Sequence, residues 1–178
     1  MPIGYLAGVI VGGLLMISVI TLTNRMNESS GQVSLYHTAR IQHNNTTEWM
    51  TDELRKIGYR VQEIPVEQAN STSITFYYRR YDQSEPVRVR WYRENSQQSD
   101  RYILKREENG NTAVINHNLK DFYFSYRDPQ GQKLSDPVNP QQIREIQLRV
   151  ETEPADQWGR QPLSTRFETS IVPRNLNL

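Results

Sequence analysis

Residues 3–23 read IGYLAGVIVGGLLMISVITLT, a run without a single charged side chain. At about 1.5 Å per residue the run spans roughly 31 Å as a helix, close to the hydrocarbon thickness of about 30 Å. Its Ser and Thr hydroxyls, on Ser18, Thr21 and Thr23, can bond back to the helix's own carbonyls. A cleaved secretory signal would need a basic leader and a small-x-small site. MPIG carries neither Lys nor Arg, and no such site follows the run. A buried core helix would be shorter and amphipathic. The expectation is a retained transmembrane helix over residues 1–23.

Working outward, every Lys, Arg, Asp and Glu of the 178-residue chain lies beyond that run, and the formal net charge is +1. So balanced a chain has no global field to attract a polyanion. Cysteine is absent, which excludes disulfides, thiolate metal sites and cysteine nucleophiles. Arg25 and Arg40 follow the run while no basic side chain precedes it. Taken alone, the positive-inside rule then favours a cytoplasmic domain.

Residues 24–58 contain no proline. Val33, Tyr36, Thr46 or Thr47, Met50, Leu54 and Ile57 recur at helical steps, predicting an amphipathic continuation of the helix. The stripe is weakest between Ala39 and Thr46, where HNNTT predicts a break or fraying. It is strongest at Trp49, Met50, Leu54 and Ile57, the residues expected to pack helix on sheet. Gly58 stands where a C-terminal cap belongs, after Arg55 and Lys56.

From residue 59 the period shortens to 2. Strands are expected at Arg60–Ile64, Ser73–Tyr81, Val87–Arg93, Arg101–Glu107, Leu119–Arg127, Gln142–Glu151 and Ser164–Val172. In VRVRWYR, Val87, Val89 and Trp91 share one face, and Arg88, Arg90 and Tyr92 the other. DQSEP, ENSQQSD, ENGN, DPQG and DPVNP supply turns. Gaps this short favour an antiparallel meander, covered on its apolar face by the end of the helix. The fold class is therefore α+β, with a long N-terminal helix packed on an antiparallel sheet at residues 59–178.

Chemistry-bearing motifs are sparse. His37, His43 and His117 are scattered, without metal-ligand spacing. No nucleophile elbow or phosphate-cradling glycine loop occurs, and Asp128–Gly131 reads as a turn rather than a calcium loop. No cofactor, metal site or catalytic residue is expected. Arg79, Arg80, Arg88, Arg90, Arg93, Arg101, Lys105 and Arg106, interleaved with tyrosines, suggest a phosphate-tracking stripe. Interspersed acids make a solvated sheet face the favoured reading, with nucleic acid an unlikely partner and any small-molecule ligand unknown. Gly4, Gly8 and Gly12, four residues apart, suit close packing of a second helix in lipid.

An apolar N-terminal helix, continued as an amphipathic helix and followed by an antiparallel sheet, resembles the type IV pilins and pseudopilins. LRKIGY at 54–59 resembles the segment closing the long helix in minor pilins of the W/J type. ITFYYRRYDQSEPVRVRWYREN and RYILKRE resemble their first hairpins. LKDFYFSYRDPQGQKL, IREIQLRVETE and the ending SIVPRNL resemble the later strands and terminus. The resemblance implies a non-enzymatic subunit of a type IV pilus or type II secretion filament, partnered by other pilin-like subunits through its N-terminal helix. It implies prepilin processing between Gly4 and Tyr5, and a globular domain outside the cytoplasmic membrane, against the charge count. The N-terminus departs from the family pattern. The leader is uncharged, and Val9 stands where the family carries a Glu that pairs with a neighbour's N-terminal amine. That departure points to a tip or initiating position. The alternative function is a single-pass protein with an extracytoplasmic ligand- or protein-binding domain; a membrane-tethered enzyme lacks a catalytic constellation.

Overall fold

The structure, a computed structural model, describes residues 3–62, 64–97, 100–153 and 164–176. One helix, α1, runs over Ile3–Arg55. Seven strands follow: β1 (Val66–Ala69), β2 (Ser73–Tyr78), β3 (Val87–Asn95), β4 (Tyr102–Glu108), β5 (Asn111–Arg127), β6 (Glu145–Thr152) and β7 (Thr165–Ile171). They form one sheet in sequence order, antiparallel at every pair. The chain forms two compact units, Met1–Thr38 and Ala39–Leu178.

In the first unit, side chains from Gly8 to Ser30 are exposed. The hydroxyls of Ser18, Thr21 and Thr23 donate to the carbonyls of Leu14, Ile17 and Val19 at 2.9, 2.8 and 2.9 Å. These three hydroxyls are thereby satisfied within the helix, as a hydrocarbon surrounding demands. The helix is long and apolar enough to cross a membrane.

In the second unit the expected break at HNNTT does not occur. Thr46 and Thr47 are buried, and the Thr47 and Thr51 hydroxyls donate back to the carbonyls of His43 and Thr47 at 3.0 and 2.7 Å. Asn44 and Asn45 face solvent. With the Thr47 and Thr51 hydroxyls bonded to the helix backbone, a polar-looking stretch still forms a buried helical face. Met50, Leu54 and Ile57 are fully buried, each contributing about 1.5–3 kcal/mol of hydrophobic stabilisation.

The helix ends in a reversal built on left-handed backbone. Gly58 has φ +75° and Arg60 φ 55°. The Gly58 N–H donates to the Tyr77 carbonyl, and the Arg79 N–H to the Tyr59 carbonyl, both at 2.9 Å. These bonds tie the reversal to the end of β2 and use up part of the segment expected as a strand at Arg60–Ile64. Its described residues are not strand. Pairing starts only after Pro65, with Val66 opposite Phe76.

Alternating burial along β3, β5 and β6 follows the period read from the sequence: Val87, Val89 and Trp91; Phe122, Phe124 and Tyr126; Ile146, Leu148 and Val150. β5 is longer than expected because NTAVINHN pairs with β4, from Asn111 opposite Glu108 to Leu119 opposite Tyr102. Its second half pairs with β6 instead. Register shifts near Asn116 and Lys120 mark bulges, which increase twist and curl a sheet. The curl brings Ser71, in the β1–β2 turn, to β5, where its carbonyl accepts from the Phe124 N–H at 2.9 Å. The Tyr126 hydroxyl donates to the Asn70 carbonyl at 3.0 Å.

Gly58 gives a direct test of the reversal. An added Cβ would come within 2.7 Å of the Asn175 carbonyl oxygen, on top of the conformational cost of a side chain at positive φ. Gly58→Ala should lower stability by about 1–3 kcal/mol in urea denaturation. An unchanged midpoint would contradict this reading.

Candidate functional site

Two features carry the functional argument: the apolar stretch of α1 and the polar clasp beneath its C-terminal turns. In the apolar stretch, Gly4, Gly8 and Gly12 are exposed, and a Cβ at any of them would meet open space. Together they leave a shallow, unobstructed face at the small-xxx-small spacing that admits another helix backbone. Val9 is exposed beside them. Met1 and Pro2 of the leader, and the side chain of Tyr5, lie outside the described residues.

Residues Met50, Leu54 and Ile57 lie within the core, whereas Trp49 is 43% exposed. The Trp49 indole packs edge-on against Trp91 at 5.5 Å between centroids, with the Arg106 guanidinium 5.1 Å from its ring. It therefore caps the edge of the helix–sheet contact instead of filling its centre.

At that centre is a carboxylate, on Glu53. One oxygen accepts from the Trp91 Nε1–H and the Arg106 Nε–H, both at 2.9 Å. The other accepts from Arg106 Nη2 at 2.6 Å and from the Tyr78 hydroxyl at 3.4 Å. A single helical side chain thus engages β2, β3 and β4. Only 4% of the Glu53 side chain and 8% of Arg106 are accessible. Arg106 also meets Glu108 at 2.6 Å, and Glu108 meets Arg80 at 2.9 Å, so the charge chain runs from core to surface. Burial opposes the charge on Arg106, but Glu53 and Glu108 more than offset it and raise its pKa. Burial likewise acts to raise the Glu108 pKa, and Arg106 with Arg80 outweighs it, holding the carboxyl below its usual range.

The sequence reading missed this clasp, although a signal was present. Glu53 is three residues from Met50 and four from Ile57, on the same helix face. Arg106 is two residues from inward-facing Leu104. Opposite charges standing at inward positions of a helix and a strand are the mark of a buried pair.

A second polar contact ties the same helix to the other side of the sheet. His43 is buried, with Nδ1 2.9 Å from the Thr152 hydroxyl and its ring edge-on to Phe167 at 6.4 Å. From His43 to Glu53 the helix rises about 15 Å, close to the roughly 14 Å separating β6 from β3 at ordinary strand spacing. Burial lowers the His43 pKa below 6.5. His37 and His117 are exposed, and among the described residues no three His, Asp or Glu side chains are grouped to hold a metal ion.

On the opposite face, the basic stripe is laced with acids. Arg88 bridges Glu67 at 2.7 Å and Glu107 at 3.0 Å, and Lys105 meets Glu94. Arg93 and Arg149 share Asp121 at 3.8 and 3.5 Å. Arg106 points inward. The stripe is therefore a mixed-charge surface rather than a continuous cationic track.

Two predictions follow from the clasp and its neighbour. Glu53→Gln leaves the buried Arg106 with only the partly exposed Glu108 as counter-charge and should cost about 3 kcal/mol in urea denaturation of the chain in nonionic detergent. Glu53→Met with Arg106→Met removes both charges and should cost markedly less than the single change; equal losses would contradict a buried ion pair. For His43, the unfolded chain takes up its proton at higher pH than the folded one. Its contribution is whole above about pH 6.5 and declines as pH falls below that value. His43→Gln should flatten the fall in Tm between about pH 7 and pH 5, and an unaltered slope would count against the buried imidazole.

Compared with protein-family models, curated proteins and solved structures, the chain matches none. A single apolar N-terminal helix with a β-rich unit fits a single-pass membrane protein.

Proposed function

We propose that this chain is a non-enzymatic, minor pilin-like or pseudopilin-like subunit, held in the cytoplasmic membrane by residues 1–23 with its sheet unit outside. The observation that carries the reading is the continuity of α1 over Ile3–Arg55. The helix that is apolar enough to span a membrane is, at its other end, the helix clasped beneath the sheet. The open face at Gly4, Gly8 and Gly12 supplies a surface for a neighbouring helix. With Val9 in place of an acid, a tip or initiating position suits the subunit better than a mid-filament one.

Helix-mediated assembly makes a specific demand. Gly8→Leu should reduce the association signal in a membrane two-hybrid assay, because the added side chain holds the partner backbone away. Mass spectrometry of the mature chain should find an N-terminus at methylated Tyr5. An intact Met1 with unchanged association would instead favour a plain anchor carrying a binding domain.

A further inference from the structure

The C-terminal end of α1, the segment after β2 and the C-terminal turn enclose an open cleft of about 590 Å³, within the roughly 300–1,000 Å³ typical of small-ligand sites. Five cationic side chains line it: Arg55, Lys56, Arg79, Arg80 and Arg174. Among the described residues, acids compensate two of them, Asp52 meeting Arg55 at 3.6 Å and Glu108 meeting Arg80 at 2.9 Å. Among the described residues, Lys56, Arg79 and Arg174 form no ion pair. The partial negative charge at the helix end is offset by Arg55 and Lys56, leaving positive charge in excess.

Arg79, which lines the cleft, is half-buried. The remaining lining is Tyr59, Tyr78, Tyr81 and Asn175. Tyr81 is 81% exposed and held under the Arg60 guanidinium at 4.1 Å, so a ring with no packing role in the core is kept in place at the cleft's rim. Guanidinium groups recognise oxyanions through paired N–H donors, and tyrosine rings offer flat faces to a ligand's body.

We propose that the cleft binds a compact oxyanion carried on a ring, of the phosphate-monoester class. A nucleic-acid strand is the less favoured occupant, because the cations flanking the cleft on the sheet are already paired with acids. The proposal is independent of the pilin-like reading, since every residue of the cleft lies in the sheet unit.

Phenyl phosphate is a suitable probe, with phenol and inorganic phosphate as the two half-ligands, titrated calorimetrically into the full chain in nonionic detergent. Saturable binding of phenyl phosphate, tighter than either half-ligand and weakened by salt, is expected. Arg79→Gln with Arg174→Gln should weaken it at least about tenfold. Tyr81→Ala removes a side chain outside the core and should weaken phenyl phosphate more than inorganic phosphate. The proposal is overturned if phenyl phosphate does not saturate, if both variants bind it as the parent does, or if a single-stranded oligonucleotide competes at lower concentration than phenyl phosphate.

Discussion

The architecture depends on one buried carboxylate. Glu53 takes hydrogen bonds from Trp91, Arg106 and Tyr78, so three adjacent strands are held in register against a single position of the helix. Apolar burial of Met50, Leu54 and Ile57 supplies most of the attraction, but it is non-directional and would tolerate sliding of the helix along the sheet. The ion pair is directional. Any displacement would strand a charge in the core, and that penalty sets where the helix lies. His43 and Thr152 fix the other end of the same crossing.

Much of this fold was legible from residue patterns, for reasons particular to each element. Val87, Val89 and Trp91, or Ile146, Leu148 and Val150, alternate cleanly because one sheet face is packed and the other solvated. The first half of β5 was not legible: NTAVINHN resembles a loop, and its pairing with β4 is set by the turn at Asn109 and Gly110 rather than by an apolar face. β1 was hidden for a different reason, since the left-handed backbone at Gly58 and Arg60 postpones pairing until after Pro65. The helix through HNNTT was misjudged because buried threonines look polar in sequence, yet Thr47 and Thr51 satisfy their hydroxyls on the helix itself. The cationic cleft draws residues 55–56, 79–81 and 174–175 from three distant stretches, and no local spacing could have revealed it.

A chain with nearly balanced charge thus arranges that charge in three distinct ways. On the outer sheet face, opposite signs alternate and largely cancel. In the core, one pair is buried and fixes geometry. At the cleft, positive charge is left in excess. The apolar stretch of α1 carries none at all, and meets the demands of a hydrocarbon surrounding by returning its hydroxyls to its own backbone. A single-pass membrane protein with a β-rich unit needs both solutions within one helix: an uncharged surface at one end and a charge-clasped face at the other.

Native-state hydrogen exchange of the intact chain in nonionic detergent tests the clasp most directly. If Glu53 and His43 lock the helix to the sheet, the amides of residues 43–55 should exchange as slowly as those of β3, β4 and β5, opening with them as one cooperative unit. Helix amides exchanging orders of magnitude faster than the strands would contradict the account.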